Sequence, residues 1–119
     1  MKLITRALIP TLAAASLAAP SAGAASFYFN KFPVHSSSEA TCYSFARSAA
    51  NGVLTNIRFT KGLEVAGVKG VSYVSITCVG RGGNQPALAI VMVASDNPGE
   101  AVSVRDQIST RLKGTQNID

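Results

Sequence analysis

Apolar and polar positions alternate with a strand period through the middle of the chain and with a helical period on either side of it. The strongest pattern is Val71–Ala94. It reads VSYVSITCV, then GRGGNQP, then ALAIVMVA, two β-branched runs joined by a glycine-dense loop, which predicts a β-hairpin. In its first arm Val74, Ile76 and Cys78 share one face, and Tyr73, Ser75 and Thr77 share the other. The second arm is apolar on both sides, with Leu88, Ile90 and Met92 alternating with Ala87, Ala89, Val91 and Val93. Such a run suits a strand covered on both faces.

Leu54–Thr60 also alternates, Ile57 and Phe59 against Asn56, Arg58 and Thr60, and predicts a half-buried strand. Lys61–Gly70 carries three glycines and reads as a loop, with Leu63, Val65 and Val68 tucked down and a minor hairpin left open. Ser26–Val34 (SFYFNKFPV) is aromatic and strand-like, with Pro33 ending it or confining it to a sheet edge.

Two helices follow from 3.6-residue periodicity. Ser36 and Glu39 have capping-box spacing. Behind them Cys42, Phe45, Ala46, Ala49 and Val53 line one face as far as about Ala50, where Asn51-Gly52 predicts a left-handed stop. Near the C-terminus Asn97 reads as a cap, Pro98 as the first helical residue and Glu100 as the reciprocal acid. Ala101, Val104, Ile108 and Leu112 form the inward stripe, and Gly114 ends it. Residues Thr115–Asp119 read as a polar tail. The resulting order, (β)αβββα, predicts an α+β two-layer sandwich in which two helices pack on one face of an antiparallel meander.

Composition changes this picture at the N-terminus. Lys2 and Arg6 precede a short apolar run, Ala7–Ala19, and Ala22-Gly23-Ala24 is a small-residue cleavage motif. Residues 1–24 therefore read as a signal peptide, and residues 25–119 as one small domain. The apolar run falls short of the roughly 20 residues a membrane span needs, so no span is expected once the leader is removed. The expected location is the periplasm or the medium, with a protein of bacterial envelope type. The 119-residue chain has a formal net charge of +5. Lys2 and Arg6 belong to the leader, and the remaining mild excess suits an unidentified protein or an anionic envelope ligand as partner.

The two cysteines, Cys42 and Cys78, are expected to form one disulfide, since each lies on its element's inward face in an exported chain. Their spacing is not C-x-x-C, and a single histidine cannot complete a zinc site, so no metal or cofactor is expected.

Little else points to chemistry. His35 beside Ser36–Ser38 invites a nucleophile–base reading, but nothing in the sequence supplies an orienting acid or an oxyanion hole. Gly80-Arg81-Gly82-Gly83-Asn84 lacks the spacing of a phosphate loop and precedes a strand rather than a helix. The αβββα order resembles that of double-stranded RNA-binding domains. However, Asn97–Arg105 holds Glu100 and a single Arg105 where that family carries a lysine cluster, so no residue carries over and nucleic acid is not an expected partner.

The expectation is a non-catalytic binding or interaction module, not an enzyme. Its candidate interaction face is the outer side of the sheet: Arg58, Tyr73, Ser75 and Thr77, joined by Val91 and Val93 if Leu88, Ile90 and Met92 face the helices. Three covers for that face stand open: the aromatic segment Phe27–Phe32, a second copy in a homodimer, or another partner. The alternative function is inhibition of a secreted or periplasmic hydrolase through the loop Gly80–Pro86, with Arg81 and Asn84 as contacts.

Overall fold

A computed structural model of the chain describes residues 26–115. The expected leader, its cleavage motif and the last four residues lie outside them. Seven elements follow in order: β1 Ser26–Pro33, α1 Glu39–Asn51, β2 Thr55–Thr60, β3 Glu64–Lys69, β4 Ser72–Val79, β5 Leu88–Ser95 and α2 Pro98–Thr115. All five strands form one antiparallel sheet in the order β1-β5-β4-β3-β2, and both helices pack on one side of it. The two-layer α+β sandwich expected from the sequence is the observed architecture.

One strand exceeds the expected count. Residues 64–69, within the segment read as a loop, form β3, paired on one side with β2 and on the other with β4. Its glycines have positional jobs. Gly67 is buried, and a Cβ there would stand 3.0 Å from Leu54 Cβ and from the Thr55 carbonyl oxygen, so glycine lets the start of β2 come close. Gly70 takes φ +58° in the two-residue turn that closes the Lys69–Ser72 pair. With this strand and β1 in the sheet, the order is βαββββα, and the resemblance to the RNA-binding layout ends there.

The helix ends also depart from the expected caps. Ser38, not Ser36, is the N-cap of α1, its Oγ accepting from the Thr41 N–H at 3.1 Å; Ser36 Oγ accepts from the Ser38 N–H. Gly52 closes α1 in the right-handed region at φ −88°, so no left-handed stop is used. Asn97 caps α2 as expected, accepting from the Glu100 N–H at 3.0 Å. Neither glutamate reaches back to its cap. Glu39 accepts from the Gly80 N–H at 3.0 Å, and Glu100 accepts from the Val71 N–H at 3.2 Å and the Ser72 hydroxyl at 2.9 Å. Each acid ties a helix start to a hairpin turn, a longer reach that satisfies a turn donor the sheet leaves unpaired.

The core lies between helices and sheet. Cys42, Tyr43, Ala46, Ala49 and Ala50 of α1 and Ala101, Val104, Ile108 and Leu112 of α2 are buried against Val65, Val74, Ile76 and Cys78. Alanines dominate the buried face of α1, whereas α2 presents the larger Val104, Ile108 and Leu112. Phe59, expected in the core, is 40% exposed at the margin, packed beside the Tyr43 ring and under the Arg47 guanidinium. The Cys42–Cys78 disulfide joins α1 to β4 with a Cα–Cα distance of 6.0 Å. It closes a loop of about 37 residues, for which chain entropy gives roughly 4 kcal/mol. A disulfide of this kind is compatible with an exported small module. Among the described residues no helix is long and apolar enough to cross a membrane.

Candidate interaction face of the sheet

The face of β5 that looks outward is the reverse of the one expected. Register pairs Val74 with Val93, Ile76 with Val91 and Cys78 with Ala89, so these residues share the helix side. Val91 and Val93 are both 0% exposed and belong to the core, not to an interaction face. Leu88, Ile90, Met92 and Ala94 stand on the outer side, opposite Val79, Thr77, Ser75 and Tyr73. The physical reason is size as well as register. Ala89, Val91 and Val93 fill the space beside Val104, Ile108 and Leu112, and the longer side chains are turned out.

The aromatic segment extends this face rather than covering it. β1 pairs with β5 at the sheet edge, Phe29 opposite Met92 and Phe27 opposite Ala94. Phe27 is 63% exposed, Phe29 58% and Tyr73 70%. On its other side β1 packs on α2, where Asn30 donates to the Ser109 hydroxyl at 2.9 Å and Lys113 Nζ lies 4.7 Å from the centre of the Phe32 ring. Of the three covers left open, Phe27–Phe32 is thereby excluded: an edge strand adds area to the face and cannot fold over it.

The remaining expected face residues are on the outer side. Arg58 is exposed on β2 and has no ion-pair partner among the described residues. Ser75 donates to Glu64 Oε1 at 2.7 Å, and Thr77 donates to the Leu63 carbonyl at 3.1 Å. Between the Phe27–Met92 side and Arg58 runs an open trough of ≈ 680 Å³ floored by Ala66 and Ala94. Sequence reading missed Phe27, Phe29, Ile90, Met92 and Ala66 as members of this face. Phe27-Tyr28-Phe29 is aromatic at every position, so the pattern held no signal for which side of β1 faces out.

The other candidates fall apart from this surface. In the loop after β4 the Arg81 side chain folds back, its Nε donating to the Pro86 carbonyl at 2.7 Å, while Asn84 is exposed. Gly82 and Gly83 both have positive φ, which accounts for the glycine density of the loop. His35 is exposed in the β1–α1 connection, where Ser36 and Ser38 are engaged in starting the helix. Among the described residues no three His, Cys, Asp or Glu side chains are grouped so as to hold a metal ion.

The chain matches no protein-family sequence profile and none of the curated proteins with which it was compared.

Proposed function

We propose that this chain is an exported, non-catalytic binding module whose working surface is the outer face of its sheet. The observation that carries the reading is the contiguity of Phe27, Phe29, Tyr73, Ile90 and Met92 on a side of the sheet over which no described element packs. Contiguous exposed apolar surface is characteristic of interaction sites. Export is supported by the leader-like residues 1–24 and by the disulfide. The non-catalytic part rests on the commitment of the reactive groups elsewhere: Glu39, Glu100, Ser36 and Ser38 are all engaged at helix starts.

The test compares three forms of the chain recovered from envelope extract by native mass spectrometry and by pull-down: the natural chain, Met92→Lys, and Arg81→Ala with Asn84→Ala. The expected result is a bound species that Met92→Lys loses and the loop variant keeps. The opposite pattern would favour the inhibitor reading, with the loop Gly80–Pro86 as its contact.

A further inference from the structure

The outer face is lopsided in a way that complements itself. The strand order places β4 at the centre, and the registers align rows across the sheet. One row reads Phe29, Met92, Ser75, Ala66, Arg58, and its neighbour reads Phe27, Ala94, Tyr73, Val68, Thr55. In the first, the bulk stands on β1 and β5, and the hollow lies over Ala66 on β3. The outward positions of the strands carry Lys31, Arg58 and Glu64, one cation more than balance.

We infer that the occupant of this face is a second copy of the chain, packed sheet to sheet about a two-fold axis that lies over β4 and bisects the strand directions of the two copies. This names the partner of the surface proposed above and rests on that reading. Rotation about such an axis keeps each residue's height along the strands and exchanges the two sides of the sheet. β5 of one copy lies over β3 of the other, and β1 over β2. Met92 enters the hollow over Ala66 of the second copy, and Ala94 meets its Val68. Phe29 comes to its Arg58, where a guanidinium over a ring is attractive. Lys31 comes within reach of its Glu64. Ser75 and Tyr73 face their own counterparts, and every other contact is made twice, as an isologous interface requires.

Packed sheets lie about 10 Å apart and cross at about 30°. That crossing keeps β5 over β3 matched to within about one residue, and the long Arg58 and Lys31 side chains span the larger offset at the rims. Five strands about 4.8 Å apart, with six to eight residues each at about 3.3 Å, give a plan area on the order of 500 Å². The accessible area of such a corrugated face is larger and approaches the roughly 800 Å² per partner of a stable interface. A small ligand suits the face less well. The trough is open along its length, whereas a small-molecule site buries most of its ligand.

Sedimentation equilibrium and native mass spectrometry of the purified, oxidised chain test this. The expected species has twice the chain mass. Met92→Lys is expected to weaken the dimer roughly 100-fold, through an unpaired charge in a closed interface. Arg58→Glu, at an exposed edge position that cannot disturb the core, is expected to weaken it about 10-fold. Thr110→Lys, on an exposed position of α2 behind the sheet, should leave it unchanged. A natural chain that stays monomeric at sub-millimolar concentration overturns the dimer, and so does a dimer indifferent to both Met92→Lys and Arg58→Glu. A monomer that still carries a bound species sensitive to Met92→Lys refutes the second copy while upholding the face. A monomer with nothing bound refutes both.

Discussion

The two sides of β5 are equally apolar and have opposite fates. Ala89, Val91 and Val93 are sealed against the helices, while Leu88, Ile90 and Met92, the larger set, stand on the open side. The difference shows that hydrophobicity alone does not choose the buried face of a doubly apolar strand. Space and register choose it. The disulfide fixes Cys78 toward α1, the pairing of Cys78 with Ala89 carries that choice across to β5, and the space left beside Val104, Ile108 and Leu112 is filled by the smaller set. A shift of one residue in the loop between β4 and β5 would have inverted β5 completely.

The sharpest way to break this comparison is the pair Val91→Lys and Met92→Lys, neighbours on one strand. Val91→Lys places an ammonium in the sealed core and should abolish the cooperative thermal transition. Met92→Lys should melt close to the natural chain, and equal damage from both would contradict the assignment of faces. Next in size is the bridge that sets the parity. Cys78→Ser should lower stability by about 4 kcal/mol, within the range for removing a native disulfide from a small domain, as read by denaturant midpoint.

Gly67→Val sharpens the claim that β3 is a packed strand and not a loop. Its side chain would meet Leu54 and the Thr55 carbonyl at the edge of the sheet, at a cost of roughly 1–3 kcal/mol in the same assay. In a true loop the substitution would be nearly neutral. The smallest effect is expected from Glu100→Ala, which removes the acceptor of the Val71 N–H and the Ser72 hydroxyl, at about 1–2 kcal/mol. Hydrogen exchange should then rise first at Val71, in the β3–β4 turn.

Much of the fold was legible in the residues. The alternation of Val74, Ile76 and Cys78, the helical spacing of Ala101, Val104, Ile108 and Leu112, and the inward pair of cysteines were enough to give two helices on one side of an antiparallel sheet. β3 was hidden because its glycines imitate a loop, although one serves a close approach and another a two-residue turn. The capping boxes misled because Glu39 and Glu100 have partners distant in sequence, Gly80 and Val71, which no local spacing reveals. The candidate face was half legible. Arg58, Tyr73, Ser75 and Thr77 follow from the alternation of their strands. Val91 and Val93 were misplaced because both parities of β5 look alike in a one-dimensional pattern. Phe27 and Phe29 join the face only through the pairing of β1 with β5, a contact between residues far apart in the chain.

The central claim, that the outer face is covered in the working form, has a built-in reporter. Met92 is the only methionine among the described residues, and it stands half-buried on that face, one strand from its centre. Its conversion to the sulfoxide by dilute peroxide can be followed by peptide mass spectrometry as the chain is concentrated, since oxidation follows exposure. The prediction is fast oxidation in dilute solution and progressive protection as the chain is concentrated, with Arg58→Glu shifting the protection to higher concentration. A rate that stays the same at every concentration would contradict it.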